Sequence, residues 1–505
     1  MSADRSLFAA MRACMPQSTR AFLHLPDDET VTYSELLAQS ARFANCLRAS
    51  GVRPGGRIAV QVEKSANALL LYLACLRAGA VYLPLNPAYT LSEVGYFLGD
   101  SRPTLAVVAP AREDAVRALA ESACNVLTLG DDGRDGSFIA RAAGQAPTFD
   151  DVCRTANDPA AILYTSGTTG RSKGAMLTQE NLLSNAKVLR DLWQFTQDDV
   201  LLHALPIFHT HGLFTATNTL ILAGGSMIFL ARFDADRIFA ALPRATAMMG
   251  VPTFYTRLLA DPRLDESTTA HMRLFISGSA PLLARTHREW RARTGHAILE
   301  RYGMTETGMI ASNPCDGDRI PGTVGFPLPG VTVRVADRGT GAELPRGETG
   351  MIELCGPNVF SGYWQRPCET SESFRSDGFF ITGDLGRIDK RGYLHIVGRA
   401  KDVIITGGLN VYPKEIETAL DSLTGIRESA VFGVPHPDFG EAVIAAVVLA
   451  PGEKLDEAVA IRQLKKNLAP YKLPRRLVVV GELPRNSMGK VQKAVLRQIH
   501  KDICA

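Results

Sequence analysis

Residues 164–174 read YTSGTTGRSKG, a run that concentrates the groups needed to hold a phosphate. Gly167, Gly170 and Gly174 permit tight backbone turns, and N–H groups freed in such a loop can cradle phosphate oxygens. Thr165, Ser166, Thr168 and Thr169 add hydroxyl donors, and Lys173 adds positive charge. The run does not fit the GxxxxGK[ST] pattern of another phosphate loop. Taken alone, it is equally what a small-residue surface loop looks like. Three further residues carry complementary chemistry. Glu306, in RYGMTE, is a hard oxygen donor; Asp384, in TGD, is an acceptor suited to ribose hydroxyls; Lys490, in PRNSMGK, is an ammonium on a turn-rich loop. Each read singly is also an ordinary solvated charge or turn residue. His209 and His211 have H-x-H spacing, but no third metal ligand stands near them in the chain.

The elements that must position these groups alternate. An apolar strand over 161–164 leads into the loop, and a helical run starts near Thr178. Helical spacing over 33–50, a strand at 57–62, a helix at 66–78 and a strand at 81–84 repeat the rhythm, which returns at 201–230 and 247–276. Strands alternating with helices predict α/β layers around mainly parallel sheets. After about Thr323 the texture turns β-rich, at 331–335, 351–355 and 393–397, as in a smaller β subdomain. Beyond Gly398 it becomes α+β: strands at 403–405, 429–434 and 442–449, and helices at 413–420 and 455–468. A domain boundary is placed near 399–401.

The bulk numbers bound the answer. A chain of 505 residues is too long for one hydrophobic core, and 46% hydrophobic with 21% charged residues is the balance of a globular protein. A net charge of +3 gives no support to nucleic-acid or membrane binding by charge. Nine scattered cysteines without a CxxC pair argue against a disulfide framework or structural zinc and for a reducing compartment. The N-terminus lacks the apolar core of a signal peptide, and the most apolar stretch, 66–85, is broken by Arg77, Gly79 and Pro84. The cytoplasm is the expected location.

The 164–174 loop resembles the phosphate-binding signature of the adenylate-forming superfamily, which contains acyl-CoA synthetases, peptide-synthetase adenylation domains and luciferases. Matching segments follow in that superfamily's order along nearly the whole chain: LPIFHTHG at 205–212, SGSAP at 277–281, RYGMTE at 301–306, TGD at 382–384, GRAKD at 398–402 and PRNSMGK at 484–490. One short match is compatible with chance; seven in order are not. The resemblance implies a large N-terminal domain (1–398), a hinge (399–402, at Lys401) and a mobile C-terminal lid (403–505). It implies that ATP with Mg²⁺ activates a carboxylic acid as its adenylate, after which coenzyme A takes the acyl group. Attack of a carboxylate on the α-phosphate brings two anions together, so neutralisation and positioning dominate the barrier.

By resemblance, Thr305 touches the phosphates and Glu306 holds Mg²⁺. Asp384 holds the ribose with help from Arg399, and Gly278, Ser279, Ala280, Arg301, Tyr302 and Gly303 surround the nucleotide. Lys490 bridges carboxylate and α-phosphate in one lid orientation. In the other, Gly407, Gly408, Leu409 and Asn410 line the pantetheine tunnel. His209 belongs to the gate between the two tunnels, and His211 is structural. The strings VPTFYTRL, SGSAPL and ERYGMTETGM look like those of malonyl-CoA synthetases, which implies malonate, with methylmalonate slower. Arg257 would then hold the second carboxylate, with Ser277 and Met304 in the acyl wall. The alternatives are a short- or medium-chain monocarboxylate ligase and a silent nucleotide-binding regulator. Relatives are silenced by acylation of this lysine, so an acetyltransferase and a deacetylase acting on Lys490 are expected partners.

Overall fold

The computed structural model describes residues 4–16, 19–165, 172–486 and 489–503. The helices start where local chemistry predicts. Thr32 and Glu35 form a reciprocal capping box at Tyr33–Ala49, and the Ser65 side chain caps Ala66–Arg77. The strand Leu105–Val108 is a continuous apolar run with every residue buried, as a strand covered on both faces must be.

Among the described residues the strands form four sheets. A nine-stranded sheet runs, in spatial order, from Phe326–Pro327 through Gly308–Ser312, Leu299–Met304, Leu274–Ser277, Ala247–Gly250, Val200–His203, Ser226–Phe229 and Ala21–His24 to Thr30–Thr32. Its interior pairs are parallel and its edges antiparallel. A seven-stranded sheet runs from Gly362–Tyr363 through Lys173–Thr178, Pro159–Thr165, Val81–Pro84, Arg57–Gln61 and Leu105–Val108 to Asn125–Thr128. Both share one large hydrophobic core. A four-stranded antiparallel sheet follows, Thr332–Ala336, Gly350–Cys355, Phe380–Ile388 and Leu394–Arg399, which is the β-rich subdomain read from the sequence.

From Ile404 onward the chain builds a five-stranded sheet with its own cores. Val443, Ala445 and Val447 face one core, while Ala442, Ile444, Ala446 and Val448 face the other. Successive residues point to opposite faces, so a strand covered on both reads AVIAAVVL without alternation. The architecture is a large N-terminal α/β domain with a smaller C-terminal α+β domain. No helix among the described residues is long and apolar enough to cross a membrane.

Two readings need correction. The sequence places no strand between the 164–174 loop and the following helix, yet Lys173–Thr178 pairs antiparallel with Pro159–Thr165, and the helix is Gln179–Leu192. The residues that flank the loop are therefore paired strands of one hairpin. Part of what holds this strand is Gly362–Tyr363, a partner far along the chain that periodicity does not reveal. The helix expected over 455–468 is confined to Glu457–Leu464, starting where Asp456 caps it.

Candidate active site

The hairpin Leu299–Met304 and Gly308–Ser312 carries Thr305 and Glu306 at its tip. Glu306 is buried, and burial raises its pKa above the usual carboxylate range against a hydrogen bond from the Tyr363 hydroxyl to Oε1 at 3.0 Å. The Tyr363 ring also receives Lys173, whose Nζ lies 5.1 Å from its centroid. Lys173 opposes Thr165 across the hairpin, so the two ends of the phosphate loop are fixed beside Glu306 through Tyr363. Tyr363 escaped the sequence reading, since it sits in no motif. Ser166, Gly167, Thr168, Thr169 and Gly170 lie outside the described residues.

Asp384 and Arg399 face each other on paired strands, with Arg399 Nε 2.9 Å from Asp384 Oδ1. The Tyr302 hydroxyl donates to Asp384 Oδ2 at 2.5 Å. Thr382 orients the acid, its hydroxyl accepting from the Asp384 N–H at 3.0 Å while donating to the Ile352 carbonyl at 2.8 Å. Tyr302 thus presents a ring whose edge is tied to the acceptor expected to hold the ribose.

Lys490 comes to this cluster from the C-terminal domain. Its side chain is solvent-accessible, and its pKa is lowered by partial desolvation and by the Arg399 and Lys401 charges, against Asp384 and Asp402. Its backbone N–H donates to the Asn486 side chain at 3.0 Å. The preceding Gly489 has φ +72°, and a Cβ there would stand 3.3 Å from Thr253 Cγ2, so the loop of Lys490 rests directly on the N-terminal domain. Lys401 lies in the short 3-10 turn Ala400–Asp402, where Asp402 pairs with Arg497 at 2.7 Å.

A second group surrounds Arg301. This guanidinium is buried with no hydrogen-bond partner for Nε or Nη2, and burial pulls its pKa down to about 9. Gly278 packs on it so closely that a Cβ would fall 2.3 Å from Cζ. The neighbouring Ser277 hydroxyl and the His211 Nε2 are likewise buried without partners, and His211 Nδ1 lies 3.1 Å from Ser279 Oγ. Ser279 holds φ +70°, a left-handed conformation uncommon for a side-chain-bearing residue and typical of functional turns. Ala280 and Met304 are half-buried beside these residues in the chain. An unpaired buried cation costs several kcal/mol, on the order of 3 kcal/mol or more, unless an anion joins it.

The remaining expected residues lie apart. Arg257 is exposed on the helix Pro252–Leu259, its guanidinium 5.3 Å from the Phe233 ring centroid. His209 is half-buried with its Nε2 enclosed and unpartnered, and desolvation holds its pKa near 4, so it is neutral at pH 7. Pro206, Ile207 and Phe208, which lead into it, wall a cavity of about 270 Å³ shared with Phe233 and Phe254. Gly407 and Gly408, with φ +56° and +78°, turn the hairpin between Ile404–Thr406 and Leu409–Val411, and Leu409 is exposed.

Segments spread from residue 165 to residue 490 thus converge on one acid- and cation-lined cleft, beside a separate buried guanidinium. Its sequence also matches known proteins. The description "AMP-binding enzyme" fits residues 11–364, and "AMP-binding enzyme C-terminal domain" fits 415–490. The chain belongs to the AMP-binding enzyme family. Within that family it is similar to a feruloyl-CoA synthase of an Amycolatopsis species, 37% identical over 473 residues that cover 93% of this chain and 94% of the relative. A malonate–CoA ligase of Arabidopsis thaliana is 34% identical, covering 89% and 78%. The ATP-bound crystal structure of MatB from Rhodopseudomonas palustris is 57% identical, covers 99% of this chain and 100% of that one, and superposes with a TM-score of 0.98. The apo form of the same protein gives 0.87. As a family member the chain is an AMP-forming acid–thiol ligase.

Proposed function

We propose that this enzyme forms malonyl-CoA from malonate, ATP and CoA through a malonyl-adenylate, releasing AMP and pyrophosphate, with methylmalonate a slower substrate. The observation that carries the choice of acid is Arg301. Its two unpaired N–H positions, with the Ser277 hydroxyl and His211 beside them, suit a second carboxylate better than an apolar acyl chain. Arg257, exposed on Phe233, is a weaker candidate for that contact than its sequence position implies. A monocarboxylate ligase is the second reading, because a feruloyl-CoA synthase matches this chain at 37% identity, although MatB, at 57%, is far more similar.

In the first half-reaction the Lys490 ammonium bridges the reacting carboxylate and the α-phosphate, neutralising both as the new O–P bond forms. Asp384, oriented by Thr382 and Arg399, holds the ribose, and Tyr302 offers the adenine its ring. Glu306 fits Mg²⁺, being a hard-oxygen carboxylate whose burial raises its pKa and which a cation would stabilise; the ion would supply neutralisation of the nucleotide phosphates. In the second half-reaction the lid turns at Lys401, the 404–411 hairpin replaces Lys490, and the CoA thiol attacks the acyl carbon past His209. In keeping with a turn, the relative's ATP-bound and apo structures superpose on this chain with TM-scores of 0.98 and 0.87 at equal identity.

AMP release driven by CoA, measured over a panel of acids, tests the substrate. Malonate is expected to lead; activity with monoacids and none with malonate would reverse the choice. Arg301→Met is expected to lower kcat/KM for malonate by about 100-fold while leaving the KM for ATP within a few-fold. Arg257→Ala in parallel shows whether the exposed arginine contributes. An accessible Lys490 is also open to acetylation by a partner enzyme, and stoichiometrically acetylated protein is expected to lose pyrophosphate exchange. The scattered cysteines, eight of them described and all free, fit a reducing cytoplasm.

A further inference from the structure

Lys64 is buried outside the nucleotide cluster. Its Nζ meets Nδ1 of His203 at 2.8 Å, the His203 carbonyl at 2.8 Å and the Leu230 carbonyl at 2.6 Å, with the Phe229 ring centroid at 4.2 Å. His203 Nε2 lies 2.9 Å from the Gly212 carbonyl, which only accepts, so Nε2 carries the hydrogen. Burial and the Lys64 charge hold the His203 pKa near 3, so the ring is neutral and Nδ1 offers a lone pair. Three acceptors around Nζ then use three N–H bonds. Lys64 is an ammonium, although burial pulls its pKa well below the usual lysine range.

The connections of this pair matter more than its charge. Lys64 follows the strand Arg57–Gln61 of the seven-stranded sheet, while His203 and Leu230 end and follow neighbouring strands of the nine-stranded sheet. One ammonium therefore joins the two sheets. The Gly212 carbonyl it fixes through His203 also accepts from Thr217 Oγ1 at 3.2 Å, inside the π-helix His211–Asn218. The loop leading there is folded tightly on itself: a Cβ on Gly212 would fall 2.2 Å from the Pro206 carbonyl. Between those points lie Phe208, which walls the cavity, and His209. Lys64 lines the same cavity.

We propose that Lys64 and His203 are a positioning pair for the thioester half-reaction, holding the 205–212 loop so that Phe208 and His209 leave the thiol's path open. The proposal rests on the acyl-CoA synthetase reading. Adenylation leans on other supports, the paired strands of Asp384 and Arg399, the Glu306 hairpin and the lid loop of Lys490, so the two half-reactions should respond differently.

The test measures them separately: malonate-dependent exchange of pyrophosphate into ATP, and CoA-dependent consumption of preformed malonyl-adenylate. Lys64→Met is expected to lower the second by about 30-fold or more, mainly in kcat, and the first by less than about threefold. His203→Phe keeps a ring but removes both the Nδ1 acceptor facing Lys64 and the donor to Gly212; it is expected to show the same split, and it decides the matter if Lys64→Met does not fold. Lys64→Arg, which retains the charge, is expected to recover part of the loss. Equal losses in both halves that track the folded fraction in thermal unfolding, or no loss in either, would overturn the pair's role. A wild-type enzyme that exchanges pyrophosphate yet transfers nothing to CoA would instead overturn the parent reading, and this proposal with it.

Discussion

At the scale of single residues the protein uses burial to set charge where it is needed and to withhold it elsewhere. Lys490 reaches the cleft with Arg399 and Lys401 as like-charged neighbours, so it gains most when two anions arrive. Lys490→Ala is expected to cut pyrophosphate exchange by at least about 100-fold while thioester formation from supplied adenylate stays within a few-fold. Equal loss in both assays would contradict the two-orientation scheme. Glu300 shows the opposite use of burial. It accepts one N–H, from Gly322 at 3.1 Å, and burial pushes its pKa up to about 8. The folded state therefore binds a proton that the unfolded chain has released above about pH 4.5. Stability on this account falls as pH rises from about 4.5 to 8, by an amount on the order of 5 kcal/mol at most. Glu300→Gln should flatten the slope of denaturant midpoint against pH across that window; an unchanged slope would show that Glu300 titrates normally.

At the scale of elements, the hairpin of Ile404–Thr406 and Leu409–Val411 is built to meet something it does not touch in this orientation. Ile405 is 54% exposed and Leu409 is 48% exposed, close to an exposed Phe439 that accepts the Gly407 N–H at 2.9 Å. Solvated apolar side chains on a glycine turn gain when they dock, and two glycines at positive φ keep the turn free of side chains, as the proposed thiol path requires. Gly408→Val is expected to reduce thioester formation by about 10-fold or more, with exchange within about threefold of wild type. Loss of exchange in proportion would mean that the turn matters only for folding. The strand Lys173–Thr178 makes a related point. It is short, yet it pairs on both sides, with Pro159–Thr165 and with Gly362–Tyr363.

At the scale of the whole molecule, one contact sets where the C-terminal domain meets the N-terminal domain. Gly489 lies against Thr253, joining the loop of Lys490 to the wall of the N-terminal domain. A disulfide between cysteines introduced at these two positions should hold the lid there. Under oxidising conditions Thr253→Cys with Gly489→Cys is expected to form one equivalent of adenylate and stop, and to resume CoA-dependent turnover when a reductant is added. Wild-type protein oxidised in parallel controls for the native cysteines. Unimpeded turnover by the verified cross-linked form would show that both half-reactions proceed with the lid in one place.

Local chemistry was legible in the chain itself. The helical runs from 33 and 66, the strand over 442–449 and the donor types of Glu306, Asp384 and Lys490 are readable from residues near one another, because propensity and side-chain type act over a few positions. Tertiary structure decided what depends on distant partners. Tyr363 reaches Glu306 from a two-residue strand, Lys64 finds its acceptors across two sheets, and Arg301 rather than Arg257 is the guanidinium left buried without a partner. Sequence spacing names which groups are present, but the desolvation that gives a buried charge its function is created only when the sheets close around it.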